Sequence, residues 1–170
     1  MKFGFNSERL IKIDWNPKWD GGAPLPRVYN GDTKTYLTYT VADWEEDSIG
    51  NFRTLEHDGY EEFHALVSFN GHTFKFGVAN DEVFSGLPWF NQGLEWAQII
   101  KNSKWIDELK AIHQVHPYYD RSSWDQQKHY LLIFKDEILE IVATGYEIEI
   151  FRTSAQRLAQ EVINRIHALD

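Results

Sequence analysis

The chain reads as an α+β protein: antiparallel hairpins and a meander sheet, a central helical segment, and a C-terminal helix packed on the sheet. Three observations predict it. Two alternating apolar runs flank Asn70-Gly71, three more follow one another between Tyr130 and Phe151, and an amphipathic stripe begins at Ala155. A period of two marks the strands and a period of 3.6 marks the helix.

The 170 residues fit one domain, 1–170, long enough to bury a core without a metal or disulfide staple. Aromatic residues make up 15% of the chain, which suits a core of large flat side chains on strands. There is no cysteine, so disulfides, thiolate catalysis and Cys-based metal sites are excluded, and a reducing compartment is favoured. Residues 1–9 lack a signal-peptide pattern, and no segment approaches the ~20 apolar residues of a membrane span. The expected location is cytoplasmic, with no membrane contact. A net charge of −9 disfavours generic nucleic-acid binding, which needs a basic face.

Taken in order, residues 14–31 hold three of the five prolines and read as a long loop carrying Trp15 and Trp19. Thr35 to Trp44 is rich in β-branched and aromatic types, a strand. Phe63–Phe69 and His72–Val78 flank Asn70-Gly71, the signature of a two-residue hairpin turn. That register places Phe69, Val67, Ala65 and Phe63 on an apolar face with Phe74 and Phe76. Asn80 to Gly93 is loop. Helical spacing begins at Leu94, breaks near Asn102-Ser103, resumes through Trp105, Leu109 and Ile112, and stops at Pro117. Residues 117–127 form another loop.

The last third predicts a meander of strands 130–134, 138–143 and 146–151. Phe134, Leu132, Tyr130, Leu139, Ile141, Ala143, Ile150, Ile148 and Tyr146 share its core face. Thr153 to Gln156 then offers a capping box, and a helix over 154–168 with Leu158, Val162 and Ile166 inward covers the meander.

The other face of the meander carries the most informative cluster. Its register sets Glu140 opposite Glu149, with Glu147 beside them and His129 near Thr144. Like charges directly opposite destabilise a sheet, so a cation, a shared proton or solvent must offset them. Such a pair could do acid–base work or meet a cationic partner. Trp15, Trp19, Trp89 and Trp124 sit in loops, where an indole either pins the loop to the core or anchors a partner. His113 and His116, with Asp120, have weak metal-ligand spacing; His116 capping a helix end is the simpler account, and no metal is expected. From Asp43 to Glu62 eight carboxylates face one arginine, a solvated face or a docking surface for a basic partner. No phosphate loop, nucleophile elbow or dinucleotide fingerprint occurs, so no cofactor is expected.

Two functions remain. The first is a non-enzymatic protein-binding module, of adaptor or toxin-neutralising type, meeting a basic protein through an acidic and aromatic surface. Its binding residues would be drawn from Glu140, Glu149, Glu147, His129, Trp124, Trp15 and Trp19. The alternative is a small hydrolase or isomerase using the glutamate pair and a histidine in a sheet-lined cleft.

Overall fold

The computed structural model describes residues 7–42, 50–55, 62–71 and 73–168. It is an α+β fold dominated by two five-stranded sheets. The strands are β1 (Arg9–Lys12), β2 (Arg27–Asn30), β3 (Thr35–Thr40), β4 (Arg53–Thr54), β5 (Glu62–Phe69), β6 (Thr73–Val78), β7 (Ala97–Lys101), β8 (Lys128–Ile133), β9 (Glu137–Ala143) and β10 (Tyr146–Thr153). The described residues also form α-helices α1 (Lys104–His113), α2 (Arg121–Asp125) and α3 (Ala155–His167). One sheet runs β1-β7-β8-β9-β6 and the other β2-β3-β5-β10-β4, antiparallel except where β10 meets β4.

The Asn70-Gly71 hairpin does not form. Both edges of β5 are taken, by β3 and β10, while β6 pairs with β9 in the other sheet. The β5–β6 and β9–β10 segments are two long bent strands clasped antiparallel, each crossing from one sheet to the other. One register runs through the bend, with Phe69 opposite Tyr146 and, four residues on, Thr73 opposite Val142. Backbone bonds continue across it: Asn70 N–H donates to Gly145 O at 3.0 Å, and Thr144 N–H donates to Asn70 O at 3.1 Å. Strands that switch sheets at a corner are a standard way of joining two packed sheets. Gly71 is required by close approach, because a Cβ there would lie 2.4 Å from Val142 O.

The predicted meander is corrected in the same way. β8 and β9 do pair, but Leu132 faces Leu139 and Tyr130 faces Ile141, a slip of two residues allowed by a longer turn. β10 leaves for the other sheet. A slip of two preserves the pleat, so the core face survives the wrong pairing. Leu132, Tyr130, Phe134, Leu139, Ile141 and Ala143 all pack between the sheets with Leu37, Tyr39, Val67 and Phe69.

Two further corrections concern local type. Residues 97–101, expected as helix, form β7 between β1 and β8. A short apolar run fits either period, and here two waiting strand edges decide it. The predicted 14–31 loop contains β2 at its end. The rest of that loop is pinned by its indoles. Trp15 Nε1 donates to Tyr39 OH at 3.1 Å, Tyr39 OH donates to Pro17 O at 2.7 Å, and Trp19 bridges to Val41.

Each sheet has an outer face with its own cover. On the second sheet, α3 sets Leu158 and Val162 on Tyr36, Leu66 and Phe151, so the helix lies outside the sandwich and not on the predicted core face. Ser154 caps it, one residue later than expected, its Oγ accepting from Arg157 N–H. On the first sheet, the irregular segment 79–94 lays Ala79, Leu87, Trp89 and Leu94 over Ile100, Leu131 and Ile138. Among the described residues no helix is long and apolar enough to cross a membrane.

Candidate functional site

Glu140 and Glu149 are not a pair. The strand exchange at the corner puts them on outer faces of different sheets, each facing basic side chains in place of the other. Glu149 accepts from Arg165 of α3 through both oxygens and from Arg53 Nη1 at 3.2 Å. Those bonds, Arg165 foremost, hold its carboxyl below the usual carboxylate range. Glu147 points outward on the same strand and is exposed.

Glu140 sits opposite Lys75 and Leu131, one row from His129. Its Oε2 lies 3.0 Å from His129 Nε2 and 3.7 Å from Lys75 Nζ. Among the described residues His129 Nε2 meets no partner in hydrogen-bond geometry, so this is a close approach of imidazole and carboxylate without an aligned bond. Burial pushes the Glu140 carboxyl up, and His129 with Lys75 more than offsets it, leaving the group below its ordinary range. On the other side of the ring, His129 Nδ1 is 2.8 Å from Ser103 Oγ, which also accepts from Ile106 N–H as the cap of α1. His129 is 1% exposed, with Trp105 edge-on at 5.0 Å and Lys75 Nζ 4.0 Å above that indole.

Carboxylate, imidazole and serine in file is the order of a hydrolase relay. Here the serine is buried and already serves as a helix cap, so the chain of contacts first of all fastens α1 to the sheet. Sequence reasoning placed His129 on the right face but missed Ser103, Lys75 and Trp105. The break in helical spacing at Asn102-Ser103 was the available signal for the cap.

The loop tryptophans divide. Trp15 and Trp19 are buried, as loop pins. Trp124 of α2 is partly buried with the His113 ring 5.1 Å away. His113 and His116 are both exposed, and His116 Nδ1 accepts from Tyr118 N–H. No group of three potential ligands converges on a metal position among the described residues. The acidic stretch 43–62 lies outside the described residues, apart from 50–55 and Glu62.

Trp19 nonetheless reaches a surface feature. With Phe134 at 4.5 Å and Trp96 at 5.3 Å between ring centroids, it contributes to a hollow of about 300 Å³ that Phe84 also lines. Asp20, Asp81 and Glu95 stand on its margin against one cation, Lys135. Trp96 is 38% exposed, and Lys18 Nζ already approaches its ring at 5.7 Å. Aromatic faces beside carboxylates attract cations by quadrupole and by charge.

The chain matches no known protein family, no curated protein and no solved structure.

Proposed function

We propose that the chain is a non-enzymatic binding protein of the cytosol that receives a basic partner protein, an arginine or lysine side chain of the partner entering the hollow beside Trp96. The observation that carries this reading is the composition of that hollow: four aromatic side chains with three carboxylates around them. Asp20 Oδ1 is spent on the backbone of Gly22 and Ala23, and Glu95 meets Lys12 at 3.2 Å. Asp81 makes no ion pair among the described residues and is the carboxylate open to a newcomer. The net charge of −9 would steer a basic partner towards the chain at long range.

Capture from the source cell tests the reading, comparing the wild-type chain with Trp96→Ala and with Asp81→Asn. A specific partner is expected to be a basic protein whose yield falls on raising salt and falls at least about tenfold with Trp96→Ala, the loss of about 1.4 kcal/mol. A partner retained equally by both variants, or one indifferent to ionic strength, would sink the proposal.

A further inference from the structure

A second concavity has the opposite charge. A cleft of about 660 Å³ opens where β7 ends, α1 begins and β8 starts, within the size range of small-molecule sites. Four lysines line it, Lys101, Lys104, Lys110 and Lys128, against Asp107 and Asp125. The topology gathers them. Antiparallel pairing sets Ile100 opposite His129, so Lys101 and Lys128 stand at adjacent strand ends. Asn102 takes a left-handed conformation, φ 57°, that turns the chain sharply into α1 and brings Lys104 alongside. Lys110 follows two turns along the helix.

Of the two carboxylates, Asp125 is engaged by Lys110 at 3.9 Å. Lys101, Lys104 and Lys128 make no ion pair among the described residues. Three further ammonium groups line one concavity with Asp107 as the remaining carboxylate, a local excess of positive charge, in a chain with nine surplus negative charges, that a bound anion would offset. The helix N-terminus is not the attraction, since Glu8 Oε1 already accepts from Lys104 N–H at 2.8 Å. Beneath the lysines lie the buried Ser103 and His129, and Trp124 forms a wall. The space exceeds what a lone inorganic ion needs.

We infer that this cleft binds a small phosphorylated molecule with an apolar, flat body. Lysine side chains surround the phosphate as compact point charges, and the Trp124 indole packs on the body. The site is separate from the acid-rimmed hollow and does not depend on a protein partner binding there.

A titration of the full chain with phenyl phosphate, followed by amide NMR, tests the inference. Saturable shifts at Ser103, His129 and Trp124 are expected, with affinity at least about tenfold weaker in Lys101→Gln/Lys104→Gln. Both lysines are exposed, so that variant should keep its melting temperature; should it not, Lys128→Gln is expected to weaken binding about threefold or more on its own. Absence of saturable shifts, or affinity unchanged in a folded variant, would overturn the site. Inorganic phosphate binding as tightly as phenyl phosphate would overturn the apolar-bodied class of ligand.

Discussion

Glu149 and Glu140 occupy the outer faces of opposite sheets, and basic side chains hold both carboxyls below their ordinary range. Glu149 is 36% exposed and is met by an arginine fork from the helix that covers its sheet. Glu140 is less exposed, and its nearest partner is a histidine sealed under Trp105 and the irregular 79–94 cover. A regular helix can present long arginines at a fixed spacing, so Glu149 itself is met by a side chain of the covering helix and not by one of the sheet's buried polar groups. The second face lacks such a helix. There a histidine in the sheet takes the place of the arginine and also receives the cap of α1, so the start of that helix depends on a side chain of β8. The same charge is thus nearly dispensable on one face and structural on the other.

The sharpest way to break this contrast is to remove the corner that separates the faces. Gly71→Ala places a methyl against the Val142 carbonyl and the Ala143 backbone, neither of which can yield. A loss of about 3 kcal/mol or more in urea denaturation is expected, while Gly145→Ala, which meets nothing within 4 Å, should stay within about 1 kcal/mol. Equal costs would instead favour two ordinary hairpin turns. Next in size, His129→Ala leaves Ser103 Oγ and Glu140 without their buried partner and should cost about 2–4 kcal/mol. Hydrogen exchange should quicken at the first turn of α1; unchanged protection there would show that Ser103 does not need the ring.

Acidification gives a medium effect with a defined sign. Burial, only partly opposed by Glu62, pulls the His64 imidazole below its ordinary value, so the unfolded chain takes the proton first. Stability should begin to fall as pH drops below about 6.5. Glu140 and Glu149, both depressed, add a further loss as pH falls from about 4.5 through their lower folded values. A flat stability profile from pH 7 to 5 would contradict the His64 part. The smallest effect belongs to Glu149→Gln: Arg53 is largely exposed and Arg165 keeps its pairing with Glu161, so a cost of about 1 kcal/mol, shrinking in 1 M salt, is expected by thermal melts.

Much of this was legible in the sequence because the pleat is a local property. Which side of β5, β8, β9 and β10 faces inward followed from alternation alone, and so did the stripe of α3. Which strand lies beside which did not follow. Asn70-Gly71 and Thr144-Gly145 carry hairpin chemistry, yet Gly71 is there to let two backbones meet, a demand visible only once the other strand is in place. For the same reason the glutamate pair dissolved: its members share a face by parity and lose their adjacency by topology. β7 was ambiguous because five residues cannot distinguish the two periods when both flanks are irregular. His129 was found, but the hydroxyl and the indole that meet it come from Ser103 and Trp105 at the start of α1, on another element.

The clasp between the two bent strands also constrains the order in which the molecule can be made. β9 is the strand that joins β6 to β8, and β10 the one that joins β4 to β5. On a ribosome, the first sheet cannot close until β9 has emerged nor the second until β10 has, and some sixty residues lie between the two arms of the clasp. Loop closure over that distance is entropically costly and favours slow, late assembly. Until then β5 waits with one open edge and β6 with no partner from the described strands. The nascent chain therefore has reason to engage a chaperone, and a break in the 79–94 segment would yield two fragments that complete each other's sheets.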